Sequence, residues 1–193
     1  MQAFILSRGI RILAALGSIL FCATMRAQVV PAGYEPAHAL WAGAEYANSN
    51  ASFPYQSNKR LNSIGAFADF HWNYRIWMEG EALWTLSGGF YGTRESSYLA
   101  GPKVYLKPGG RLRPYGKVLA GSGKIHYPFA IGDASYVALA PGAGLDYRLS
   151  RRLMLRAEYE YQLWPGSPGF ANEPGHELTP NGIHLGLAYR IRR

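Results

Sequence analysis

Four glutamates are the first residues in this chain that could do chemistry, because they stand in two pairs: Glu79 with Glu81, and Glu158 with Glu160. Carboxylates held close together can divide into a proton donor and a proton acceptor when their surroundings push their proton affinities apart. The same spacing also arises without chemistry. Residues i and i+2 of a strand share a face, so a strand with one charged side produces such pairs by alternation alone, and Lys103, Arg148 and Arg156 are available to neutralise them. We read both pairs as structural.

The five histidines extend the search without changing it. His71 and His184 fall on the same faces as the charges, His38 begins a strand, and His126 and His176 lie in loops. No two stand at metal-ligand spacing, and the single cysteine, Cys22, is near the start of the chain. No metal and no cofactor are expected. Deacylation of a lipid would need a serine, a histidine and an acid together on an outer surface. No serine and histidine stand close in sequence on an apolar stretch, so no enzymatic activity is expected.

The elements that position these residues are strands. In the closing stretch NGIHLGLAYRIRR, residues 181–193, Ile183, Leu185, Leu187, Tyr189 and Ile191 alternate with His184, Gly186, Ala188 and Arg190. A period of 2 makes one greasy face and one small or polar face. Seven further stretches repeat the pattern, at 38–47, 61–72, 76–86, 97–106, 114–125, 135–149 and 153–164. The last of these alternates most clearly, with Leu153, Leu155, Ala157, Tyr159, Tyr161 and Leu163 against Met154, Arg156, Glu158, Glu160 and Gln162. The stretch at 114–125 is the faintest, and Pro102 inside its predecessor cannot donate to a ladder.

The start of the chain reads differently. Arg8 and Arg11 precede an apolar run from Ile12 to Ala23, then a short polar stretch ends at Ala27. That order is a secretory signal peptide, and the run is shorter than the roughly 20 residues a membrane-spanning helix needs. We expect residues 1–27 to be the signal peptide, 28–37 a periplasmic lead-in and 38–193 one barrel domain. Losing three arginines with the leader, Arg8, Arg11 and Arg26, takes the formal charge from +8 to +5. Without cysteine, the exported chain must be stabilised by its core or by a membrane.

Eight strands with short connections after the second, fourth and sixth, and longer ones after the rest, predict an all-β, eight-stranded antiparallel up-and-down transmembrane barrel. Its apolar face carries Tyr46, Trp72, Trp84, Tyr98, Tyr147, Tyr161 and Tyr189 toward strand ends, where amphipathic rings form interfacial girdles. The other face carries Glu45, Asp69, Glu79, Glu81, Asp146, Glu158 and Glu160 with Lys103, Lys117, Arg148, Arg156 and Arg190. A barrel this narrow is filled by its own side chains, so these charges predict a plugged lumen. Arg75, Lys107, Arg111, Arg113, Arg151, Arg152, Arg192 and Arg193 fall in short turns or at the terminus, a basic periplasmic rim. That distribution suits anionic headgroups or acidic periplasmic partners and argues against nucleic acid.

On these residues the chain resembles the OmpA-like and OmpX-like small outer-membrane β-barrels. The most family-like piece is GLAYRI, where Gly186, Tyr189 and Ile191 are similar to the closing-strand signal read by the barrel-assembly machinery. That signal usually ends in an aromatic residue, whereas Arg192 and Arg193 follow here. The resemblance implies a bacterial outer-membrane location, contact with outer-membrane lipids, engagement of the assembly machinery during insertion, and surface loops that bind a partner not identified by sequence. No peptidoglycan-binding domain is expected. The expected function is a structural or interaction barrel. The alternatives are a narrow porin-like pore, a lipid A-modifying enzyme, and a soluble lipocalin-like binder with apolar residues inside.

Overall fold

The computed structural model describes residues 38–51, 59–87, 93–127, 132–165 and 178–192. The expected signal peptide and lead-in, together with His176 and Arg193, lie outside these residues. Eight strands form: β1 Leu40–Ala51, β2 Lys59–His71, β3 Ile76–Ser87, β4 Arg94–Tyr105, β5 Leu112–Tyr127, β6 Gly132–Arg148, β7 Leu153–Tyr161 and β8 Asn181–Arg192. Each is antiparallel to its neighbours in sequence, and β1 also pairs with β8, from Trp41↔Arg190 to Asn50↔Asn181, which closes the barrel. Closure leaves no unpaired sheet edge, the condition for a β-structure in hydrocarbon.

Alternation along each strand sets the two faces. In β7 the inward Met154, Arg156, Glu158 and Glu160 are buried while Leu153, Leu155, Ala157, Tyr159 and Tyr161 are exposed. On the outer wall Val137 is 70% exposed, Ile183 57% and Leu185 56%. An apolar belt of that extent is not found on a soluble monomer, and lipid is the solvent that accepts it. Among the described strand residues, the outward Arg60, Arg94, Lys124 and Asp133 stand only at the long-loop ends. The lipocalin-like alternative needs the reverse arrangement and is overturned by this placement.

Three tight turns hold the opposite end. Asn73 Oδ1 accepts from the Arg75 and Ile76 amides at 3.1 and 2.9 Å, and Ser150 Oγ does the same for Arg152 and Leu153 at 3.1 Å each. These side chains mimic the missing ladder partners. The β4–β5 turn uses Gly110 at φ 95°, a left-handed conformation open to glycine. Pro102 sits within β4, pairing with Met78 of β3. Beside it the β5 backbone comes so close that a Cβ on Gly101 would lie 2.2 Å from the Val118 carbonyl oxygen.

The strands run further than their apolar period. β1 continues to Ala51, β2 starts at Lys59, β4 at Arg94, and β5 and β6 extend to Tyr127 and from Gly132. The connections expected at 48–60, 87–96 and 126–135 are therefore shorter, and His126 belongs to β5 rather than a loop. Ladder hydrogen bonding persists beyond the membrane, where the outward face is no longer required to be apolar. Hence Arg60 and Lys124 occupy outward strand positions.

Candidate functional site

The lumen is filled in three layers. At the short-turn end Trp41, Phe67, Trp77, Tyr105, Tyr115 and Met154 pack together. Trp77 meets Tyr105 edge-on at 5.6 Å, and Tyr105 meets Tyr115 at 5.7 Å. At the long-loop end Leu99, Leu119, Ile125, Tyr136, Trp164 and Leu178 make a second apolar cluster. Past the end of β7 the bridges Leu139↔Leu163 and Trp164↔Leu178 keep the registers of the β6–β7 and β7–β8 ladders, so Trp164 continues the inward row of Glu158, Glu160 and Gln162 and lies against Tyr136 at 5.7 Å. Gly123 makes room, since a Cβ there would be 2.4 Å from the indole.

Between these layers lie the charges. Lys117 Nζ is 2.9 Å from Glu79, 2.6 Å from Glu81, 2.7 Å from Glu158 and 2.8 Å from Glu160. One ammonium thus holds both glutamate pairs, and the pairs face each other across the barrel instead of acting separately. Lys103 Nζ lies 3.2 Å from Asp69, 3.2 Å from Glu79 and 3.0 Å from Asp146. Arg156 reaches the same three acids, at 2.5 Å from Asp69, 3.1 Å from Glu79 and 3.2 Å from Asp146. The guanidinium also covers the Phe67 ring at 3.7 Å, and Lys103 covers the Tyr115 ring at 3.8 Å.

Tyrosine hydroxyls add to this set. Tyr115 donates to Glu158 Oε2 at 2.5 Å, and Tyr105 donates to Asp146. The long-loop layer is joined to the charges through side chains: Trp164 Nε1 donates to Gln162 at 2.8 Å, and Gln162 donates to Glu160 at 2.8 Å. Burying an unpaired charge costs several kcal/mol, so the sharing of each cation among three or four carboxylates is the economy that makes this interior tolerable.

The other expected site residues are placed as follows. Glu45 is buried on β1, and His184 on β8 points at Glu158 with Nδ1 3.4 Å away. Arg148 and Arg190, expected within the lumen, are half-buried at the strand ends by the short turns, with Arg190 5.7 Å from the Trp41 ring. Arg113, expected on the solvated rim, is instead 1% exposed. It shares the inward parity of Tyr115 and Lys117, stacks over Tyr105 at 4.7 Å and directs Nη2 to Met154 Sδ at 2.9 Å. Lys107, Arg111, Arg151 and Arg152 are exposed around the short turns and Arg75 is partly so, while Arg192 ends β8. Tyr189 and Ile191 face outward, and Gly186 faces inward, where a Cβ would meet Phe67 at 2.9 Å and Glu45 at 3.2 Å. Sequence reasoning missed Trp164, Arg113 and the convergence of His184 with Glu45. For Trp164 and Arg113 the parity signal was present.

A closed antiparallel barrel with apolar walls and a charged, filled interior is a transmembrane β-barrel of the outer-membrane kind. The chain belongs to the family described as outer membrane protein beta-barrel domain, whose model matches residues 13–190. It is a bacterial outer-membrane protein, as the OmpA-like resemblance implied. Among solved structures it is similar to Neisserial surface protein A, with a TM-score of 0.62 at 12% identity, covering 79% of this chain and 97% of that one. It is likewise similar to Ail, the attachment invasion locus protein of Yersinia pestis, with a TM-score of 0.56, 18% identity, and coverage of 81% and 100%. OprG of Pseudomonas aeruginosa gives 0.51 at 12% identity, covering 84% and 100%. At these identities the likeness is one of fold. A comparison with curated proteins gives no match.

Proposed function

We propose that this barrel is a sealed outer-membrane scaffold that conducts no solute, catalyses no reaction, and makes its interactions through its wall and its long-loop end. The observation that carries this reading is the position of Lys117 Nζ, 2.6 to 2.9 Å from four carboxylates on two facing strands. With Lys103 and Arg156 added, ion pairs link β2 through β7 across the bore, and apolar layers sit above and below them. Both glutamate pairs are engaged as ligands of an ammonium, which supports a structural role over acid and base catalysis.

Contact with lipid follows from the belt of outward Leu, Ile, Val and aromatic residues. The exposed Lys107, Arg111, Arg151 and Arg152 suit anionic headgroups of the inner leaflet. Gly186, Tyr189 and Ile191 on β8 are the residues we assign to recognition by the assembly machinery, and the surface partner belongs to the long-loop end. Liposome swelling tests the sealed lumen: vesicles containing the refolded barrel should take up arabinose no faster than empty vesicles. Uptake proportional to barrel content would replace this reading with a narrow pore.

A further inference from the structure

The buried charges of the lumen do not balance. Seven carboxylates, Glu45, Asp69, Glu79, Glu81, Asp146, Glu158 and Glu160, are buried among the described residues, against Lys103, Arg113, Lys117 and Arg156. With all seven ionised, seven against four leaves three negative charges in excess. The imbalance is concentrated on the long-loop side of Lys117, where Glu45, Glu81, Glu158 and His184 each offer one ligand atom and all four atoms lie within 4.8 Å of one another.

Glu45 is the informative member. It is 3% exposed, it points into this cluster, and neither of its oxygens has a hydrogen-bond partner. Its cross-strand partners on both sides are glycines, Gly65 and Gly186, so neither flanking strand sets a side chain directly opposite it, and the Leu83 and Phe67 side chains lie over those glycines instead. Glu81 is second: Lys117 takes Oε2 at 2.6 Å, while Oε1 is buried without a partner. A buried carboxylate is normally paired or coordinates a metal, and three unpartnered oxygens converging beside an imidazole ask for a cation.

We propose that Glu45, Glu81, Glu158 and His184 form a binding site for one divalent transition-metal ion, of which Zn²⁺ is the representative. Ligand atoms about 2.0 to 2.2 Å from a tetrahedral metal stand roughly 3.4 Å apart, so the observed spread must contract by a little over 1 Å. Glutamate side chains supply that movement by rotation, and that of Glu45 is held by no hydrogen bond. The imidazole nitrogen selects for zinc-like ions over Ca²⁺ and Mg²⁺, which prefer all-oxygen shells. With His184 neutral, a divalent ion lowers the excess from three charges to one. The site lies between two apolar layers, so the ion enters as the barrel folds, and binding is coupled to folding.

The experiment is refolding of the full barrel in detergent with Zn²⁺ present, gel filtration into metal-free buffer, and metal analysis of the folded fraction identified by its heat-modifiable mobility. About one Zn²⁺ per chain is expected in the parent and less than about a tenth of that in Glu45→Gln and His184→Gln. His126→Gln should keep its Zn²⁺, because it removes the exposed histidine that contacts Asp133 and no residue of the cluster. Co²⁺ in place of Zn²⁺ should give a visible d–d band in the parent that is missing from Glu45→Gln. A folded parent without metal would overturn the proposal, whatever the variants do. So would full Zn²⁺ retention in both cluster variants, or its loss in His126→Gln alone.

Discussion

Replacing Lys117 by methionine keeps most of the side-chain volume and deletes one ammonium. That ammonium lies 2.9, 2.6, 2.7 and 2.8 Å from Glu79, Glu81, Glu158 and Glu160. Removing one partner of a buried ion pair costs about 3–5 kcal/mol, because the remaining charge is left uncompensated. Here four carboxylates lose a shared partner, so Lys117→Met should reach at least that range. Against a typical net stability of about 5–15 kcal/mol, the loss is a large fraction. Urea titration of the barrel refolded into lipid vesicles, followed by the gel shift of the unboiled sample, measures it directly. Adding Glu160→Gln to Lys117→Met should recover part of the loss, since one stranded charge is gone, with a coupling of about 0.5–3 kcal/mol. A Lys117→Met barrel with the parent's urea midpoint would show that Lys117 is not what neutralises these acids.

Other expectations divide the wall from the lumen. Leu187, 49% exposed and flanked by Ala44 and Leu155, lies well inside the apolar belt, so Leu187→Arg should cost about 2–4 kcal/mol in vesicle refolding. Tyr159→Arg should cost only about 0–1 kcal/mol, because the Tyr159 hydroxyl already reaches the polar Asn181 at 3.0 Å near the rim. Arg113→Ala should lose about 1.5–3 kcal/mol, the worth of a buried charged donor, whereas the exposed Arg111→Ala should stay within about 0.5 kcal/mol of the parent in the same titration. Gly101→Ala places a Cβ 2.2 Å from the Val118 carbonyl oxygen, and the resulting strand shift should lower stability by about 1–3 kcal/mol by urea unfolding.

The faces were legible wherever both solvents speak. In β7 each outward residue is apolar or aromatic and each inward one is charged apart from Met154, so period and register follow directly. β5 is faint because Gly116, Gly121 and Gly123 carry no side chain, and its outward Lys124 stands beyond the membrane. The strand ends were lost for the same reason, since Arg60, Arg94 and Asp133 read as loop once the apolar requirement lapses. Arg113 was misplaced by its nearness to the 106–111 turn, although its parity with Tyr115 and Lys117 already turned it inward. The lumen geometry was hidden for a different reason. Glu45, Glu81, Glu158 and His184 come from four strands, and their meeting depends on shear and closure, which no local spacing encodes. Trp164, like Arg113, carried the parity signal, since it continues the inward row of Met154, Arg156, Glu158, Glu160 and Gln162 through bridges in the register of the ladders.

The sealed lumen is most directly tested by single-channel recording of the refolded barrel in a planar bilayer, with insertion verified by protease protection and by the heat-modifiable gel shift. With Lys117, Lys103 and Arg156 bridging the bore between two apolar layers, the expected trace is flat, with no discrete steps above the bare membrane at either polarity. Stable, uniform conductance steps that scale with protein added would contradict it.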